Sequence, residues 1–446
     1  MVLDDAGLLF VERCSVKSVN TLNEKQARKW ALAIYVAFLV VFAGTLAGRL
    51  PKHSSDNHYV YLADAMLHGR LHIEGKPPHR NDWAQYNGKW YVSFPPLPAV
   101  LMIPGVAVFG MSFNDRIFTL FFAAAGPALL FLILAALARR RTIDRPQWEL
   151  ALLSFLYGLG TVYYFAAVQG SVWYTAHMVG GVFLLLFILA SLGGRHPLLA
   201  GLTLGAAFAC RPPMLLAFPF FFYEAVISQM DTEKSFKEGV RALVRQSGLC
   251  TVLKPLMLIA IPLALVLTAL MAMNYARFDN PFEFGHKLLK VRWTGRIERW
   301  GLFNYHYLAR NLATAFTLLP WISTSKPYIQ ISNHGLALWF TTPVLLYILW
   351  PTVRTRFYTA LAVTAAVTAV PSLLYQNSGW VQYGYRFALD YMPFLILLIA
   401  ASGRRFGKLF LTLCAFSVVI NLFLAVTFDR INAVKPKAST AYFEPD

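Results

Sequence analysis

Apolar runs of about 18–22 residues recur along most of this chain, and no other feature narrows its fold so far. A helix of that length crosses a hydrocarbon core of about 30 Å with its backbone amides bonded internally, as lipid demands. A transmembrane barrel needs short alternating strands instead. Composition agrees: 57% of residues are hydrophobic and 14% charged, where a soluble domain is about a quarter charged. The predicted class is an all-α polytopic membrane protein.

Flanking charges set the predicted topology. Lys25, Arg28 and Lys29 precede a first span at 30–50 and put residues 1–29 in the cytoplasm. No cleavable signal peptide is expected, since that span lacks a small-residue cleavage pattern. Arg139, Arg140 and Arg141 close a span at 117–138 on the same side. The apolar stretch 97–111, with Pro98, Pro104 and Gly110, then reads as a juxtamembrane or re-entrant helix rather than a crossing. Further spans are predicted at 149–168, 177–192, 255–273, 335–350, 357–374, 389–401 and 408–428. Residues 198–223 are broken by Arg211-Pro212-Pro213 and read as two short helices meeting near Arg211, a break tolerated where it lines a polar cavity. The sum is about 11 crossings in one domain, 30–428, before a tail at 429–446. Three outward loops result, 51–115, 274–334 and 375–388, with juxtamembrane helices in the first.

The net charge of +18 follows mostly from cations beside the spans and is no footprint of nucleic acid. One part of it does not follow. Lys287, Lys290, Arg292, Arg296, Arg299 and Arg310 stand in the second outward loop, with Glu298 the only acid between them. Attraction to phosphate explains such an outward excess; so does contact with anionic lipid. Cys14, Cys210, Cys250 and Cys414 have no paired spacing and suggest neither disulfides nor a metal site.

The first outward loop carries Asp56, His58, Tyr59 and Asp64. If 56–68 is helical, Asp64 lies about 80° round from Asp56 and both can point into one cavity. Asp56 reads either as a helix N-cap or as a general base or cation ligand. Asp64 either joins it or pairs with Arg70 or His68. Asn87-Gly88 signals a hairpin with Lys89 at its turn. The third loop holds Trp380, Tyr385 and Arg386; Arg386 and Asp390, four apart, can pair. Aromatic and amide side chains, with Tyr59, His58, Asn274, Trp380 and Tyr385 as candidates, suit a sugar or its acceptor. Arginine and lysine suit a phosphate, and apolar spans suit a long lipid tail. A lipid-phosphate sugar at the outer face combines all three.

A series of stretches adds to this reading: the Asp56 loop after the first span, Phe94-Pro95-Pro96-Leu97, Asn114-Asp115-Arg116-Ile117, the Gly-rich 201–211 ending in Arg211, 274–285, and Gly384-Tyr385-Arg386. In order and spacing, along nearly the whole chain, they resemble the GT-C superfamily of integral-membrane glycosyltransferases, which use polyprenyl-phosphate sugars. The nearest in pattern are lipid A aminoarabinose transferases and protein O-mannosyltransferases. The resemblance implies a GT-C fold, with Asp56 as general base on the acceptor hydroxyl and Asp64 as a second acid. It also implies inversion at the anomeric carbon. Lys89, Arg211 and Arg386, with Arg292 and Arg296 behind them, would hold the leaving phosphate. The setting implied is a bacterial inner membrane with the site facing the periplasm. Membrane lipids and a glycan, glycolipid or protein acceptor are the implied partners, and no nucleic acid. O-mannosyltransferases carry Asp-Glu where this chain has Asp56-Asn57, which weighs against a protein acceptor. The first loop lacks an Asp-x-Asp, so no cofactor is expected, with a divalent metal left open as the alternative. The rival readings are a polysaccharide polymerase and a lipid-linked oligosaccharide flippase. A flippase hides charges at mid-span, and Arg211 is nearly the only one here.

Overall fold

The computed structural model describes residues 22–79, 81–230, 236–291, 293–324, 328–428 and 430. Most of the predicted N-terminal segment and tail, and Arg292, lie outside the described residues.

The first helix, α1 (Glu24–Leu46), opens on a capping box in which Asn23 and Gln26 satisfy each other's backbone N–H. The loop after it holds α2 (His58–Leu67), a hairpin of β1 (Trp83–Tyr86) and β2 (Lys89–Val92), and α3 (Leu97–Phe109). Asn87 and Gly88 form the hairpin turn at φ 46° and 74°, the doubly positive geometry that asparagine and glycine tolerate. With 13 residues, α3 is too short to cross, as predicted. A continuous α4 (Asp115–Arg139) follows. The span predicted at 149–168 is interrupted: α5 (Gln147–Leu159) stops at Gly160, and α6 (Val162–Ala167) restarts with Thr161 as its cap. Beyond it runs α7 (Ser171–Ser191).

The break predicted at Arg211 is present. Between α8 (Pro197–Phe208) and α9 (Phe218–Ala225), Arg211 is extended and Pro212–Ala217 forms a 3-10 turn. The amphipathic α10 (Phe236–Ser247) leads into α11 (Leu249–Phe278). The second loop predicted to face outward carries α12 (Thr294–Trp300), α13 (Leu308–Phe316) and a short ladder of β3 (Trp321–Ile322) with β4 (Ile329–Gln330). The crossing predicted at 335–350 is not one helix. There α14 (Leu338–Thr341) ends at Thr342, Pro343 lacks the next N–H, and Pro343–Leu349 winds as a 3-10 turn. The last helices are α15 (Arg356–Leu374), α16 (Met392–Ala401) and α17 (Lys408–Thr427).

Among the described residues, six helical segments are long and apolar enough to cross a membrane: Glu24–Arg49, Asp115–Arg139, Ser171–Gly194, Val252–Phe278, Arg356–Leu374 and Lys408–Thr427. The other predicted crossings are short or broken, so length and hydropathy support these six and not the full count of about 11. Helices α1, α4, α7, α8 and α11 pack in that order. The middle one, α7, has 78% of its apolar window buried, against 11% for α11 at the edge. Gly201 sets the approach of α8 to α11: a Cβ there would stand 2.1 Å from the Ile259 carbonyl oxygen.

At the end predicted to be cytoplasmic, arginines act as staples. Arg145 is buried; it pairs with Glu149 at 2.9 Å and donates to the carbonyls of Ile399, Ala400 and Arg404. It thereby caps the C-terminus of α16 from the connection between α4 and α5. Arg140 reaches the buried Glu224 at 2.8 Å, and Glu224 also accepts the Gly193 N–H. Arg145→Ala strands the buried Glu149 charge and several helix-end carbonyls. The expected cost is about 3–5 kcal/mol, read as a large fall in thermal midpoint in detergent; a midpoint within a degree or two of wild type would contradict this role.

Candidate active site

The polar loop between α1 and α2 is fixed by the starts of two other helices. Asp115, buried in the first turn of α4, accepts the Ser54 N–H at 2.7 Å, the Ser54 hydroxyl, and the Ser171 N–H at 3.1 Å. Its neighbour Arg116 donates to the carbonyls of Arg49, Lys52, His53 and Gln169. Asn114 donates to Leu50 O at 2.8 Å. One residue past Ser171, the Val172 N–H bonds the carbonyl of Asp56 at 2.9 Å. The Asp56 backbone is therefore held by the N-terminus of α7.

Asp56 does not start the helix. α2 begins at His58 with Asn57 as its cap residue, and no side chain caps it, so the N-cap reading of Asp56 is corrected. Its carboxylate, 19% exposed, is aimed by two donors instead, Ser55 Oγ at 2.7 Å and Asn81 Nδ2 at 3.1 Å, with His79 Nε2 standing 3.5 Å away. His79 Nδ1 accepts the Asn81 N–H, so its proton sits on Nε2, toward the Ser55 carbonyl and Asp56. His58 is wholly buried, with Nε2 at 2.9 Å from the Asn81 carbonyl and its ring stacked on Trp83 at 4.2 Å. It braces the loop rather than facing a substrate, which corrects its reading as a sugar contact.

Between Asn81 and Trp83 stands Asp82, which the sequence analysis did not single out. It sits at φ 57°, a strained region for an aspartate, and accepts the Trp173 Nε1–H at 2.9 Å. Burial pushes its carboxyl above the usual range and the Asp56 charge adds to the rise, while the Trp173 bond, the Arg386 cation and His79 oppose it. Asp56 and Arg386 thus both lie within electrostatic reach of Asp82.

The facing wall comes from the break after α8 and from the third outward loop. Arg211 forms a bidentate pair with the fully buried Asp390, Nε to Oδ1 at 3.1 Å and a terminal nitrogen to Oδ2 at 2.8 Å. His177 Nδ1 stands 3.2 Å from the same carboxylate. The predicted Arg386–Asp390 pair is not formed, because Asp390 is spent on Arg211. Arg386 is buried; its guanidinium donates to Val381 O at 3.3 Å and lies over the Tyr174 ring, 5.4 Å from its centre. Among the described residues no carboxylate stands within ion-pair distance of it.

The remaining candidates scatter. Tyr59 is wholly buried, its hydroxyl near Cys210 and Arg211. Tyr385 is buried edge-on to Phe387, and Trp380 packs edge-on to His334. Asp64 is 3.6 Å from His68, the bland pairing foreseen for it, while Arg70 goes to Glu74. Lys89 is exposed at the hairpin turn. Arg296 is half-buried near Gln376, whose carbonyl takes Arg310. Asn274 is buried with both ends of its amide engaged, by Arg277 and by the Pro281 carbonyl, so it supports a turn. Arg292 lies outside the described residues. Asp56 and Arg386 are the predicted residues that act on Asp82, and Arg211 stands on the facing wall with Asp390; Asp82, His79, Trp173 and His177 were not singled out.

No family model matches the chain, and no curated protein matches its sequence. Among solved structures it is similar to ArnT from Cupriavidus metallidurans bound to undecaprenyl phosphate, with 14% identity, a TM-score of 0.43, and coverage of 84% of this chain and 60% of that one. It is similar also to the Archaeoglobus fulgidus oligosaccharyltransferase in the apo form, with 14% identity, a TM-score of 0.42, and coverage of 92% and 57%. A third is AglB from Archaeoglobus fulgidus with an inhibitory peptide and a dolichol-phosphate, at 12% identity and a TM-score of 0.41, over 92% and 56%. The chain spans less than two thirds of the length of each. Likeness of this order assigns no residue a role.

Burial holds His58, His286 and His334 down to about 4, with nearby arginines adding to the fall in the last two. Their unfolded counterparts titrate near about 6.5, so the unfolded chain takes up these protons first. Stability is full above about pH 6.5 and declines toward about pH 4; Asp82, raised, opposes this with one proton against three. The thermal midpoint in detergent is expected to be lower at pH 5 than at pH 7.5, with a smaller drop in His58→Gln. Equal midpoints at both pH values would contradict the buried, neutral assignment.

Proposed function

We propose that the chain is an integral-membrane glycosyltransferase that moves a sugar from a polyprenyl-phosphate donor to an acceptor hydroxyl at the outer face of its membrane. In this reading the acceptor is a glycan, glycolipid or protein, and the site faces the periplasm of a bacterial inner membrane. One observation carries the proposal: a fixed, partly open carboxylate, Asp56, and a buried cation without a paired carboxylate among the described residues, Arg386, both act on Asp82.

The chemistry follows from those two groups. Asp56 takes the proton of the acceptor hydroxyl, and the freed oxygen attacks the anomeric carbon from the side opposite the carrier. The bond from that carbon to the phosphate oxygen breaks, its electron pair goes to the phosphate, and the configuration inverts. Arg386 meets the charge that develops on the leaving phosphate. Arg211 contributes less, since Asp390 already neutralises it. The two donors on Asp56, with His79 beside them, hold it in one orientation and leave its exposed edge for the acceptor.

Asp56→Asn keeps the shape and removes the base. It is expected to lower turnover of a polyprenyl-phosphate sugar by about 10²–10⁴-fold, while Asp64→Asn, a partner of His68, stays within about twofold of wild type, as surface substitutions usually do. Full activity in Asp56→Asn would refute the assignment of the base.

A further inference from the structure

Asp82 has a carboxylate half in use. Trp173 donates to Oδ2, and no donor among the described residues bonds Oδ1. Its backbone is pinned on both sides: the Asn81 amide holds Asp56 and its carbonyl takes His58, while Trp83 is fully buried against the His58 ring. The left-handed φ of 57° is thus imposed by neighbours that fix where this side chain points. Arg386, which acts on it electrostatically, stays beyond ion-pair distance, so this carboxylate has no cation closed on it among the described residues.

The geometry points to Asp82 as a specificity-determining residue whose free carboxylate oxygen, with the other fixed by Trp173, binds hydroxyl groups of the carrier-linked sugar. This rests on the proposed donor class and adds the subsite for its sugar. A carboxylate accepts from two neighbouring hydroxyls at once. The partly buried Trp173 ring stands beside it, where its apolar surface would meet the sugar's C–H groups. Phosphate at Arg386 and hydroxyls at Asp82 would fix the two ends of the bond to be broken, with Asp56 on the same corner.

The test is equilibrium binding to the full chain in nanodiscs, which does not depend on turnover. The probes are sugar-free undecaprenyl phosphate, a panel of synthetic undecaprenyl-phosphate monosaccharides, and single-deoxy analogues of the tightest binder. Wild type is expected to bind one sugar-linked carrier more tightly than the bare carrier. In Asp82→Asn that ligand should bind about 10–100-fold more weakly, the worth of a hydrogen bond to a charged group, with the bare carrier little changed. In wild type alone, loss of one hydroxyl should weaken binding about tenfold, and Asp82→Asn should be insensitive to the same loss. Equal weakening of both carriers would make Asp82 structural. Indifference of wild type to every deoxy analogue, or to the sugar altogether, would also overturn the proposal. Turnover measured in parallel separates the two readings. Sugar binding that depends on Asp82 without any transfer supports the subsite and defeats the transferase.

Discussion

The two oxygens of Asp115, with 1% of the residue exposed, collect the Ser54 N–H and hydroxyl and the Ser171 N–H. A charge buried so deeply is costly unless its lone pairs are met, and here each oxygen has a donor. Asp115 lies in the first turn of α4, and Ser171 opens α7, so the positive ends of two helices favour the anion as well. Arg116, the next residue, gathers the loop's carbonyls, so one dipeptide satisfies both the donors and the acceptors of a loop that would otherwise lack partners. The loop between α1 and α2 is registered by this knot. Through Val172 it reaches the Asp56 carbonyl, and through the Asp56 side chain it reaches Asn81 and the Asp82 corner.

The opposite wall is fixed by a different device. A buried pair such as Arg211–Asp390 is a weak source of net stability, but it is directional. It bonds the break between α8 and α9 to the turn before α16, and His177 on the central helix adds a third side. With Asp390 committed there, Arg386 keeps its charge. The division of labour between the arginines follows from that single pairing: one holds the wall together, the other faces the corner.

The long spans, the hairpin at Asn87-Gly88 and the break at Arg211 were legible because each is local: an apolar run, a turn dipeptide, a proline pair. The interrupted helices were not, since Gly160 and Pro343 cut runs whose composition alone reads as continuous. The Arg386–Asp390 pairing failed for a geometric reason. These residues lie in a 3-10 turn, where four steps overshoot a full turn by about 120°, so the α-helical neighbour rule does not apply. Asp56 was singled out because it stands in a polar patch just after a span. Asp82 was missed because only the folded loop brings it to Trp173, which lies 91 positions along the chain.

The central claim is transfer from a polyprenyl-phosphate sugar with displacement of the carrier. The most direct measurement supplies purified chain in nanodiscs with such donors and an acceptor from membrane extract, and follows free polyprenyl phosphate together with the anomeric configuration of the product. The account predicts acceptor-dependent release of the carrier from one sugar donor and an inverted glycosidic bond. Consumption of a lipid-diphosphate oligosaccharide, with no release from any monosaccharide donor, would contradict it and point to a polymerase.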